Sequence, residues 1–372
     1  MTQARSSPVD LDHAVRQLIA QLRPGARVTR IERFAPDGAA PEAGAETTKA
    51  AGYGQPVHIS IAGANGLDEE LVLHTATPDG FGHDRRADRV AELVLAFDTF
   101  ADVPSHVRAL DVGVIDADGG LRSLGVGGEP YLLSTYARGR VYAEDLRRIA
   151  RDGRASKPDR RNVVALARYL AGLHRARFDA PVVYMRALRD LVGGGEGVFG
   201  LVDSYPDGTP GAPPESLHAI EEACMRWRWR LRGKCHRLCR VHGDFHPWNI
   251  VLGEHDQPTL LDASRGCRGD AADDVAAMAV NFPLFALDAG PNGKQVLADL
   301  LMMFVATYLE ASADDEVLTV IAPFLAWRCL VVVSPVFYPG VLARDRERVL
   351  AFATKVLASD RFEPSMAASL FA

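Results

Sequence analysis

Residues 241–276 read VHGDFHPWNIVLGEHDQPTLLDASRGCRGDAADDVA, and the order of polar residues in that stretch decides the fold. Two β-type runs, Asn249 to Leu252 and Thr259 to Leu261, flank a turn containing Gly253, His255, Asp256 and Pro258. That pattern predicts a hairpin. A hairpin brings Asn249 and Asp262 together at one end of two paired strands, with Asp244 in the loop just before. A carboxylate, an amide oxygen and a second carboxylate then converge on one site. Hard cations such as Mg2+ take oxygen ligands of this kind, with phosphate oxygens completing the shell. Asp244 is left to orient a hydroxyl nucleophile. Phosphoryl transfer asks for little beyond positioning, metal ions across the phosphates and an acceptor for the hydroxyl proton. Turn chemistry or strand capping explains any one of these residues alone, but not the ordered set.

Upstream of this stretch the chain changes character near residue 139. An amphipathic helix with Leu11, Val15, Leu18, Ile19 and Leu22 on one face comes first. Short β-type runs follow at Val28 to Phe34, Val57 to Ala62 and Leu71 to Thr75, then a helix from about Asp84 to Phe100. Two more strands fit Val107 to Val114 and Tyr131 to Tyr136. This order describes a small antiparallel sheet with a helix against it. Beyond Gly139 the pattern is mostly helical, with core stripes at Val163, Leu166, Ala167, Leu170 and Leu173 and at Leu217, Ile220, Cys224, Trp227 and Leu231. Two loops stand out. Residues 35–56 contain 14 Ala, Gly or Pro, and residues 193–214 read as a long surface loop.

Composition narrows the function. The 372 residues are 48% hydrophobic and 24% charged, an ordinary globular balance that excludes collagen-like and wholly disordered readings. Net charge is −6, against a nucleic-acid-coating protein. Five cysteines, an odd and sparse set, fit reduced thiols in a cytoplasmic protein better than a disulfide framework. The N-terminus lacks a signal-peptide apolar core. Arg328, Pro335 and Pro339 interrupt the best membrane candidate, Ala326 to Ala343, which reads as a buried helix and turn. Of 42 basic residues only five are lysine: Lys49, Lys157, Lys234, Lys294 and Lys355.

Two other patterns do not carry chemistry. Gly195, Gly197 and Gly200 spell G-x-G-x-x-G, but a helical run precedes them where a dinucleotide fingerprint needs a strand. No P-loop motif occurs. Cys235, Cys239, His242 and His246 suggest zinc, yet four ligands so close together across a strand-to-loop junction cannot readily converge on one ion.

The 241–276 stretch resembles the aminoglycoside phosphotransferase and choline-kinase-like family, relatives of the protein kinases. HGDFHPWN is similar to the family's H-G-D-x-x-x-x-N catalytic loop, LLD (260–262) to its metal-binding Asp, and GDAADDVA to its G-D-P-x-x-D-L-A segment. The resemblance implies Asp244 as catalytic base, His242 as support of the loop, Asn249 and Asp262 as Mg2+ ligands and Asp274 as a structural anchor. It extends upstream. YLLSTYARGR (131–140) resembles an inter-lobe hinge whose backbone at Ser134 to Tyr136 meets adenine. ALARYLAGLHRARF (165–178) resembles a family helix in which His174 is a packing residue, and Glu92 occupies the place of the glutamate that pairs with a phosphate-binding lysine. The implied fold is bilobal α/β (α+β) and protein-kinase-like, with a sheet-rich N-lobe (1–138) and a helical C-lobe (139–372).

One departure matters. The third strand, ELVLHTAT, carries His74 where the family has that lysine. A neutral imidazole offers one donor and no charge to the α- and β-phosphates. Lys49 is the only lysine before the hinge, so either Lys49 or His74 takes the role. The expectation is an ATP- and Mg2+-dependent kinase acting on a hydroxyl of a small molecule, with neither nucleic acid nor membrane as partner. The 193–214 loop and the region around Trp327 and Tyr338 are candidate walls of the acceptor pocket. The alternative is a catalytically weak, pseudokinase-like nucleotide-binding module that acts through a partner.

Overall fold

The computed structural model describes residues 11–33, 56–63, 66–76, 86–115, 120–123, 129–263 and 265–372. The described chain falls into two compact units. The first holds α1 (Leu11–Leu22), β1 (Arg27–Arg33), β2 (Val57–Ala62), β3 (Asp68–Thr75), α2 (Arg86–Thr99), β4 (Ala109–Ile115), β5 (Leu121–Ser123) and β6 (Glu129–Thr135). The strands form one antiparallel sheet in the order β1-β2-β3-β6-β4-β5. Period-two alternation explains its two faces. Ile59 and Ile61 of β2, Leu71 and Leu73 of β3, and Tyr131 and Leu133 of β6 form one apolar cluster, closed by Ala14, Val15, Leu18 and Ile19 of α1. Helix α2 packs on β4 and β6 and contributes nothing to that cluster, which places it against the other face.

The second unit, mainly residues 138–372, holds β7 (Arg140–Val141), α3 (Tyr142–Asp152), α4 (Lys157–Leu173), α5 (Pro181–Gly193), α6 (Val198–Asp203), α7 (Pro214–Leu231), β8 (Leu238–Arg240), β9 (Ile250–Leu252), β10 (Pro258–Leu260) and β11 (Arg268–Asp270). After these come α8 (Ala271–Ala279), α9 (Asn281–Ala286), α10 (Pro291–Ser312), α11 (Val317–Val320), α12 (Ala322–Val332) and α13 (Ala343–Leu357). Both predicted core stripes are buried: the first on α4, which packs along α10, and the second on α7, which packs on α13. Ser156 and Asp159 start α4 with a reciprocal capping box, each satisfying the other's backbone N–H. Gly139 leads into β7 at φ +144°, where a Cβ would sit 2.2 Å from the Leu252 carbonyl oxygen, so no larger residue fits.

The structure corrects one expectation. Residues 193–214 are not wholly loop, because α6 lies within them and buries Val198 and Leu201. Six residues are too few to show a helical period in sequence. The glycines of the G-x-G-x-x-G pattern serve this packing: a Cβ on Gly200 would lie 1.9 Å from the Gly195 carbonyl oxygen. Helix α5, not a strand, precedes them.

Candidate active site

Strands β9 and β10 pair antiparallel, with Ile250 opposite Leu260 and Leu252 opposite Pro258. One step beyond the last pair, the Leu261 N–H donates to the Asn249 carbonyl at 2.9 Å. Asn249 and Asp262 therefore flank the same end of the hairpin. Asp262 has φ +58° and is exposed, a left-handed conformation that aspartate tolerates better than most residues. Asn249 is 9% exposed, and its Nδ2 donates to the Asp244 carbonyl at 3.1 Å, which leaves Oδ1 as its oxygen donor.

The loop before the hairpin is held by Asp274 of α8. Its Oδ2 accepts the His242 N–H at 2.7 Å and its Oδ1 the Gly243 N–H at 2.8 Å. Gly243 stands at φ +83°, which accounts for the glycine between His242 and Asp244. His242 is fully buried, and its Nδ1 accepts the Asp244 N–H at 3.3 Å. Burial lowers the His242 pKa against the opposing pull of Asp274, Asp244 and Asp262, so the imidazole is neutral near pH 7. His174, at the end of α4, completes the support: Nε2 lies 3.1 Å from Asp274 Oδ2 and Nδ1 2.9 Å from the Tyr308 hydroxyl. Asp270 caps α8 by accepting the Ala272 N–H, and it also receives the buried Arg237 fork and the Tyr184 hydroxyl. Asp270 and Asp274, the first and last aspartates of GDAADD, are anchors.

Asp244 itself sits among basic side chains. Arg328 Nη1 donates to its Oδ1 at 2.5 Å, and His246 Nε2 lies 3.4 Å from Oδ2. Burial alone would raise the Asp244 pKa. His246, Arg265 and Arg328 outweigh burial and hold it well below the ordinary carboxylate range, so Asp244 is ionised at neutral pH. Arg265 and Arg328 both lie over the Trp327 indole, 4.2 and 4.1 Å from its centroid. The Trp327 Nε1–H donates to the Glu196 carbonyl, and Arg265 pairs with the Glu196 carboxylate. Trp327 and Tyr338 are both buried, and Trp248 of the loop before the hairpin meets the Tyr338 ring edge-on at 6.2 Å. Neither Arg328 nor Asp273, which also pairs with Arg328, was marked by the sequence motifs. The one available signal was a lone charge inside an apolar run.

The candidates of the first unit sit on the sheet face against α2. His74 lies opposite Leu132 and Val72 opposite Ser134, so His74 and Ser134 share the face turned from the α1 cluster. His74 is exposed, Ser134 buried, and Glu92 half-buried on α2. The Tyr136 N–H donates to the Glu70 carbonyl, and its ring stacks on His58 at 4.5 Å. Lys49 lies outside the described residues.

The oxygen donors Asn249 Oδ1 and Asp262 fit a Mg2+ ion bound partly through phosphate, which needs only one or two protein carboxylates. Among the described residues no trio of His, Cys, Asp or Glu is gathered as for a metal, the Cys235 to His246 quartet included.

A helix-rich unit with this anchored loop and hairpin, and a sheet unit carrying one helix on the free face, define a protein-kinase-like phosphotransferase. Residues 66–313 match the model of the APH phosphotransferase enzyme family, and the chain belongs to that family. An amicoumacin kinase solved with AMP-PNP and Ca2+ is similar in fold, at 13% identity and TM-score 0.50, covering 94% of this chain and 93% of the other. An ethanolamine kinase of Plasmodium vivax is similar at 11% identity and TM-score 0.50, covering 95% and 91%. No curated protein sequence matches this chain.

Proposed function

We propose that this phosphotransferase is an ATP- and Mg2+-dependent kinase that transfers the γ-phosphoryl group to a hydroxyl of a small molecule, with Asp244 as the base. The observation that carries the reading is the ordered set Asp244, Asn249 and Asp262 around one end of the β9–β10 hairpin. The amicoumacin and ethanolamine kinases among similar structures share the fold and support a small-molecule acceptor. Asn249 Oδ1 and the Asp262 carboxylate would hold the metal, which would offset the phosphate charge when bound. Asp244 Oδ1 is committed to Arg328 while Oδ2 has only contacts of 3.4 Å, which supports Oδ2 as the oxygen that takes the acceptor's proton. Its low pKa suits a transition state in which the hydroxyl proton leaves late, and Asp244 then acts largely by orienting that hydroxyl.

The test is ADP release from Mg-ATP across a panel of amino sugars, amino alcohols and other small hydroxyl compounds. Asp244→Asn should lower transfer by about 10²- to 10⁴-fold, the range of a positioned general base, with Mg-ATP binding retained. The presence of His74 in place of a lysine supports the other reading, a nucleotide-binding module. Wild type that binds Mg-ATP and transfers to nothing in the panel would favour it.

A further inference from the structure

We infer that Arg328 is a positioning residue for phosphoryl transfer, whose guanidinium selects the Asp244 oxygen that meets the acceptor hydroxyl. The inference rests on the reading of Asp244 as base. Arg328 lies beyond the residues that match the family model, in α12, where it is the only charged side chain from Ala322 to Val332. It is 3% exposed.

A buried arginine is costly unless its donors are met, and a well-packed apolar residue at such a place is often as stable or more so. Helix stability therefore gives no reason for a charge here. Its bonds do, since all three go to the catalytic loop and the helix that anchors it. Nη1 donates to Asp244 Oδ1 at 2.5 Å, and Nη2 to the Gly243 carbonyl at 2.9 Å and to Asp273 Oδ1 at 2.7 Å. Nε has no hydrogen-bond partner among the described residues. The fork thus ties the carboxylate to the backbone of the preceding residue, and the Asp244 side chain cannot rotate without breaking the Nη1 contact. Oδ2, by contrast, has only long neighbours, Asn249 Nδ2 and His246 Nε2, both at 3.4 Å. Oδ1 is gripped at close range, whereas Oδ2 is held by these two longer contacts.

The experiment compares wild type, Arg328→Met, Arg328→Lys and Asp244→Asn. It measures Mg-ATP affinity by calorimetry and phosphate release from Mg-ATP with water as the acceptor. Misplacing a reacting group by about 1 Å costs on the order of 10²-fold, and that loss of turnover is expected for Arg328→Met with Mg-ATP affinity within about twofold of wild type. Arg328→Lys should recover only part of the rate, because one ammonium cannot reproduce the planar fork. A crystal structure of Arg328→Met should show the Asp244 carboxylate rotated. Wild-type turnover in Arg328→Met, full turnover in Arg328→Lys, or an unmoved Asp244 would each overturn the inference. If Arg328→Met fails to fold, the lysine variant decides. Phosphate release by Asp244→Asn as fast as by wild type would instead overturn the base assignment, and the inference with it.

Discussion

The Asp274 carboxylate holds the backbone of His242, accepting its N–H at 2.7 Å while its other oxygen accepts that of Gly243 at 2.8 Å. Asp274→Ala would leave both N–H groups buried without an acceptor, at about 1–3 kcal/mol each. Urea unfolding at pH 7 should show a loss within roughly 2–6 kcal/mol. The same carboxylate has a defined pH signature. Burial raises its pKa, but His174, His242 and the loop N–H outweigh burial and the folded value is lowered. Such a group contributes fully above its unfolded pKa of about 3.9, and the contribution is lost as pH falls through the lower folded value. The stability gap between wild type and Asp274→Ala should therefore be constant from pH 7 to about 5 and shrink below about 4. A gap that widens on acidification would contradict this account.

The metal assignment predicts different losses at its two residues. Replacing even outer-shell partners of a metal costs about 10- to 100-fold in affinity, so Asp262→Ala should raise the Mg2+ concentration needed for nucleotide binding by at least the lower figure. Asn249→Ala removes a neutral oxygen and should cost less. A Mg2+ titration of nucleotide binding at fixed ATP reads both, and identical Mg2+ dependence in wild type and Asp262→Ala would sink the assignment.

His74 and Lys49 separate by substitution. A phosphate-facing ammonium contributes about 1 kcal/mol in a water-exposed site, or roughly fivefold in affinity. His74→Lys should tighten ATP binding by about that factor if the strand position faces the phosphates. Lys49→Met should weaken binding by a similar factor if Lys49 already supplies the charge. Unchanged affinity in Lys49→Met together with tighter binding in His74→Lys would assign the role to the strand.

Much of the site was legible because its parts are local. Asp244, Asn249, Asp262, Asp270 and Asp274 fall within one stretch whose turn and strand signals fix their order in space. The sheet of the first unit was legible in the same way, from alternation at Ile59, Ile61, Leu71 and Leu73. Arg328 was not. It meets Asp244 across 84 residues, and the contact is set by how α12 packs on α8, for which one sequence carries no periodic sign. In the sequence the same arginine merely interrupted an apolar run. Helix α6 escaped notice for the opposite reason, being too short to display a period.

The 84-residue separation of Asp244 and Arg328 also orders events during synthesis. At about 5–20 residues per second, the loop leaves the ribosome roughly 4 to 17 s before the arginine that grips it. A nascent chain can thus carry every motif residue of the site while Asp244 still lacks its clamp. Competence arrives only with the late helix, so a chain interrupted before α12 would display the family's signature without its working geometry.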